Sequence, residues 1–180
     1  MIILVDQDDV LAGFNAEFNR LWKPNCPPDF YIPPEKQLLH DLASCYPDFL
    51  RPSLEPIYTA PGFVRNLPPI KEGIEAVKEM LSMRIEVRIC TAPLKNYKNC
   101  VLEKYQWIEH YLGREFVERV ILTRDKTLVR GDFLIDDKPD IKGVAQPTWE
   151  QIIFDQPWNQ RSKVAKRMFS WNDWKKIIGV

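Results

Sequence analysis

The chain opens on four consecutive aliphatics, Ile2-Ile3-Leu4-Val5, then breaks into three acids within four positions, Asp6, Asp8 and Asp9. An unbroken apolar run of this length predicts a strand buried on both faces, the parallel-sheet pattern rather than the half-exposed one. Phe14, Phe18, Leu21 and Trp22 then recur at helical spacing. From Lys23 to Pro69 the periodicity is lost. Ten of the 15 prolines, or eleven with Pro69, fall there, which excludes long regular elements and predicts short helices, around Glu35 to Cys45 and Ser53 to Thr59. Six aromatics, Phe30, Tyr31, Tyr46, Phe49, Tyr58 and Phe63, make that stretch a packed insertion rather than a linker.

Regular alternation resumes at Ile70. Ile70, Ile74, Val77, Met80 and Leu81 share one face of a helix through Met83. Strands follow over Arg84 to Thr91, Val117 to Thr123, Asp132 to Asp136 and Gln151 to Asp155, with a helix from about Asn96 to Leu112 closed by Gly113. Ser170 predicts the N-cap of a last helix that buries Trp171, Trp174 and Ile178. The sum is an α/β, Rossmann-like three-layer sandwich. Its expected core is residues 1–14 and 70–180, and a small helical cap over 15–69 is inserted after the first strand.

Such a topology gathers the strand ends on one edge of the sheet, where ligands bind in open α/β folds. Polar groups stand at four of those ends: Asp6, Asp8 and Asp9; Thr91; Arg124, Asp125 and Lys126; Asp136 and Asp137. Crowded carboxylates repel one another unless a cation or a proton neutralises them, so a metal site or paired acid/base chemistry is one reading and an Asp-rich turn the other. Asp6 and Asp136 suit a hard cation such as Mg²⁺, with Thr91 and Lys126 balancing the oxygens of a phosphate. Twenty-five basic residues against 25 acidic ones leave a formal net charge of zero and no field for gripping a nucleic-acid polymer. Cys26, Cys45, Cys90 and Cys100 form no Cys-x-x-Cys and read as reduced packing thiols. No apolar stretch predicts a membrane span or leader, and the expected location is cytoplasmic.

In order and chemistry these pieces resemble the haloacid dehalogenase (HAD) superfamily: Asp6-Gln7-Asp8, then Thr91, then Lys126, then Asp136-Asp137. Longer runs, Ile89-Cys90-Thr91-Ala92-Pro93, Glu103-Lys104-Tyr105, Ile121-Leu122-Thr123-Arg124-Asp125-Lys126-Thr127 and Leu134-Ile135-Asp136-Asp137-Lys138-Pro139-Asp140, are similar to the 5'(3')-deoxyribonucleotidases. The resemblance implies a nucleoside monophosphate substrate, Asp6 as nucleophile and Asp8 as general acid and then base. It implies Mg²⁺ on the Asp6 carboxylate, the Asp8 backbone carbonyl and Asp136. Thr91 and Lys126 would contact phosphate, and Asp137 would orient Lys126 or a metal-bound water. Phe14 and Tyr58 would line the nucleoside pocket, with Ala92 and Arg124 beside the substrate. An apolar surround at the sugar would disfavour a 2'-hydroxyl, whose unpaired burial costs ~1–3 kcal/mol.

Two positions depart from that family: Asp9 stands where it usually has Gly, and Ala92 where it has Ser. Asp tolerates positive φ better than most residues, so the loop is expected to survive. These departures leave open a phosphatase for another small phosphomonoester and a catalytically weak binding or regulatory protein. A homodimer is also left open. His40 and His110 stand near no predicted strand end and receive no role. The basic stretch Arg161, Lys163, Lys166 and Arg167 is expected to face solvent.

Overall fold

A computed structural model describes all 180 residues. Six parallel strands, β1 (Ile2–Val5), β2 (Glu86–Thr91), β3 (Val120–Leu122), β4 (Phe133–Asp136), β5 (Glu150–Phe154) and β6 (Lys166–Met168), form one sheet in the order β3-β2-β1-β4-β5-β6. The opening aliphatic run is thus near the centre: Leu4 is in register with Arg88 on one side and Leu134 on the other, Val5 with Ile89 and Ile135. This Rossmann-like α/β arrangement sets the carboxyl ends of β1, β2 and β4 side by side. Six helices accompany it: α1 (Phe14–Trp22), α2 (Arg51–Tyr58), α3 (Lys71–Ser82), α4 (Cys100–Leu112), α5 (Arg114–Val117) and α6 (Trp174–Ile178).

The two faces of the sheet are covered unequally. Ile3, Val5, Val87, Ile89, Ile135 and Ile152 point into a large apolar cluster that receives buried side chains from all six helices, among them Phe18, Leu54, Val77, Trp107, Phe116 and Trp174. On the other face Leu4, Cys90 and Leu134 pack with Trp149 and, at its margins, Val129 and Ile141. That layer comes from the irregular segments after β3 and after β4 rather than from α-helices. The insertion after α1 shares the large cluster through Tyr46, Leu50 and Leu54, and has no core of its own.

Several sequence expectations shift at their edges. The helix expected over Glu35 to Cys45 is two 3₁₀ turns, Pro34–Lys36 and Leu42–Cys45; the prolines around them hold no run long enough for an α-helix. The helix expected from Asn96 begins at Cys100, and the third strand narrows to Val120–Leu122 because Arg114–Val117 coils into α5. The strand β6 is absent from the sequence reading, and two residues of the supposed solvent-facing basic stretch form it. Lys166 pairs with Glu150 at 2.9 Å, and Arg167 pairs with Asp155 at 2.5 Å and bonds the Asn159 carbonyl at 2.8 Å. A charged, three-residue edge strand carries no hydrophobic period to betray it. All four cysteines are free, and burial pushes the Cys90 thiol up to about 12. No helix is long and apolar enough to cross a membrane.

Candidate active site

The site begins where β1 gives out. Asp6 N–H still donates to Ile135 O at 2.9 Å, extending the ladder by one residue, and the chain then folds back on itself. Leu11 and Ala12 N–H both donate to Gln7 O, at 2.9 and 2.8 Å, while Asp9 N–H donates to Ala12 O at 2.7 Å. This tight loop places Asp9 at φ 54°, in the left-handed region that Asp tolerates. The Asp9 carboxylate accepts from Asn15 N–H at 2.9 Å and Asn15 Nδ2 at 2.7 Å, which ties the loop to the start of α1. Gln156 Nε2 donates to Asp9 O at 2.7 Å from across the sheet edge.

Over this loop lies a cavity of about 550 Å³, within the range of small-molecule sites. Asp6, Asp8, Asp9, Phe14, Tyr58, Ala92, Arg124, Lys126, Asp136 and Asp137 all line it. Oxygens of Asp6, Asp136 and Asp137 come within 4.8 Å of one another. An all-oxygen set of buried carboxylates this close fits a small divalent cation, which takes such ligands and repays their desolvation. Lys126 meets the same acids. Its ammonium is 2.5 Å from Asp136 Oδ2 and 2.8 Å from Asp6 Oδ1, the latter a charge contact off the hydrogen-bond axis.

Burial governs the proton affinities here. It pushes Asp8 up, opposed by Lys104, and pushes Asp136 up, opposed by Lys126. Burial, helped by the neighbouring Asp136 and Asp9, raises Asp137 well above the carboxylate range, and burial lifts Asp9 to about 7. Burial would lower the Lys126 ammonium, but Asp136 and Asp6 more than reverse it, and Lys126 stays charged.

Two expected contacts take another form. Thr91 is fully buried, and its hydroxyl accepts from Lys104 Nζ at 3.0 Å instead of facing the cavity. Asp137 makes no bond to Lys126; its carboxylate accepts from Trp158 Nε1 at 2.8 Å and stands 3.8 Å from His40 Nε2. His40 is therefore a wall of the cavity, contrary to the sequence reading, and nothing in its Pro-rich surroundings signals that. Phe14 packs edge-on against Phe63, centroids 5.1 Å apart, and against Tyr58 at 5.9 Å, giving the cavity an aromatic side.

Sequence reasoning also gives Lys104 no role. In the structure this side chain is 1% exposed and its Nζ lies 2.8 Å from each Asp8 oxygen. A signal for it exists: with Cys100, Trp107 and Ile108, Lys104 falls on the apolar stripe of α4, where a lysine must find a buried partner.

Comparison with known proteins agrees with the geometry. Residues 1–180 match the family described as 5' nucleotidase, deoxy (pyrimidine), cytosolic type C protein. A Bordetella bronchiseptica protein is 46% identical over 178 residues, 99% of this chain and 95% of that one. The human cytosolic-type 5'(3')-deoxyribonucleotidase is 43% identical over 186 residues, covering 98% of this chain and 92% of the human protein. A solved HAD family hydrolase from Deinococcus radiodurans, with bound phosphate and sodium, superposes with a TM-score of 0.60 at 14% identity, covering 99% of this chain and 94% of that one, a likeness of fold.

Proposed function

The chain belongs to the 5'(3')-deoxyribonucleotidase family of the HAD superfamily and is a nucleotide phosphatase. From that premise we propose that it removes phosphate from deoxyribonucleoside monophosphates, with Mg²⁺, through an aspartyl phosphate on Asp6. The observation that carries the reading is the division of acids at the sheet edge. Asp6, Asp136 and Asp137 share one oxygen cluster, while Asp8, two residues on, is held apart by Lys104.

In this reading the Asp6 carboxylate, the Asp8 backbone carbonyl and Asp136 would hold Mg²⁺, which would supply positive charge to the phosphoryl oxygens. An Asp6 oxygen attacks phosphorus, the bond to the ester oxygen breaks, and Asp8 gives its proton to the departing alkoxide. Asp8, now a carboxylate, takes a proton from water as that water attacks the phosphorus of aspartyl phosphate, freeing inorganic phosphate and Asp6. The upward push of burial on Asp8 favours the protonated form the first step needs. Lys126 neutralises charge on Asp6 and the phosphate, and Arg124 and Ala92 border the phosphate's approach. Asp137 supports the cation side. Phe14 and Tyr58 receive the nucleoside, and residues 15–69 act as the cap that brings Tyr58 over the pocket. A cytoplasmic location accompanies the reading, as the human relative is of the cytosolic type.

The test is phosphate release from a panel of deoxy and ribo monophosphates, 5' and 3', with and without Mg²⁺. Deoxyribonucleotides should be preferred and chelation should abolish turnover. Equal rates on ribonucleotides, or turnover indifferent to chelation, would contradict the substrate or the metal assignment respectively.

A further inference from the structure

Two lysines reach the acids of this site, and they divide them. Lys126 takes Asp6 and Asp136. Lys104 takes Asp8 alone, both carboxylate oxygens at 2.8 Å, and adds the Thr91 hydroxyl at 3.0 Å and Gln7 Oε1 at 3.4 Å. An ammonium has three protons to give, and all are directed at this one loop and strand end. A buried lysine on an apolar helix face is costly unless its partners are fixed, and here they are residues of β1's loop and β2's end.

The helix that carries Lys104 is itself pinned. The neighbouring Glu103 accepts from the backbone N–H groups of Gly62, Val64 and Arg65 at 2.6, 3.0 and 3.2 Å, and Trp107 Nε1 donates to Leu67 O at 2.8 Å. The Lys104 ammonium thus has a set position, and Asp8 takes its orientation from it. That contact also accounts for Asp8 standing outside the carboxylate cluster formed by Asp6, Asp136 and Asp137.

We propose that Lys104 is a positioning residue for Asp8: it aims the Asp8 carboxylate at the ester oxygen and keeps it out of the cation site. This rests on the nucleotidase reading and deepens it. Bond making by Asp6 does not depend on Lys104, whereas proton transfer by Asp8 to the alkoxide and from water does.

The experiment compares Lys104→Met and Lys104→Gln with the wild type on dUMP and on p-nitrophenyl phosphate, whose leaving group departs without a proton. On dUMP, kcat should fall by about 100-fold, at the low end of general acid–base effects, with KM changed by less than about threefold. On p-nitrophenyl phosphate a rapid burst of nitrophenolate, about one per active site, should survive while later turnover slows, because only the second step still needs Asp8. Wild-type kcat on dUMP, a loss appearing chiefly in KM, or loss of the burst in proportion to turnover would overturn the proposal, as would failure of both variants to fold. A wild type inactive on every nucleotide would instead overturn the reading beneath it.

Discussion

Asp9 holds a carboxylate where the backbone sits at φ 54° and little of the residue is exposed. Its bonds to Asn15 fasten the start of α1, and with it Phe14, to the loop that bears Asp6 and Asp8. The cost is electrostatic: burial lifts its proton affinity to about 7 from an ordinary 3.8. The folded state then binds a proton more tightly than the unfolded one, so stability falls as pH rises through that interval. Without divalent cation, the melting temperature should therefore drop between about pH 4 and pH 7, and Asp9→Asn should flatten part of the slope; a variant with the wild-type slope would show that Asp9 is not the group. At this scale the sequence exposes Asp6, Asp8 and Asp136, because clustered acids at strand ends are conspicuous. It conceals the pairing of Lys104 with Asp8 and of His40 with Asp137, because the partners lie 96 and 97 residues apart and only the fold brings them together.

Among the elements, α3 and the C-terminal turn show how closely the scaffold of the loop is built. Trp171 Nε1 donates to Val10 O at 2.9 Å, securing the loop after β1 from the far end of the chain. Gly73 on α3 makes room for it: a Cβ there would lie 2.6 Å from Trp171 Nε1 and 2.9 Å from Leu11 Cδ2. Helix propensity alone favours Gly73→Ala by roughly 1 kcal/mol. Overpacking against a fixed indole costs about 1–3 kcal/mol and should prevail, so chemical denaturation should find the variant less stable. A more stable variant would mean that the indole yields and that the loop is not anchored through it. Elements with a strong hydrophobic pattern, the apolar run of β1 and the periodic α3 and β2, are legible in the sequence to within two residues. The 3₁₀ turns after α1 and the charged strand β6 are not, since prolines and edge salt bridges set them rather than a buried face.

For the whole molecule, parallel topology gathers four separated motifs at one edge of the sheet, three of them lining the cavity and Thr91 buried behind it. The order β3-β2-β1-β4 sets Thr91, Asp6 and Asp136 on adjacent strands, which is why their sequence order carries so much information. What the hydrophobic pattern does not reveal is the uneven layering, with every helix feeding the larger cluster and irregular segments covering the other face. The central claim is that phosphate passes through Asp6, and acid-quenched turnover of dUMP followed by peptide mass spectrometry tests it most directly. A phosphoryl adduct should appear on the peptide containing Asp6, should accumulate in Asp8→Asn given p-nitrophenyl phosphate, whose leaving group needs no proton while attack by water is slowed, and should vanish with activity in Asp6→Asn. An Asp6→Asn protein that turns over dUMP at near the wild-type rate would contradict the account.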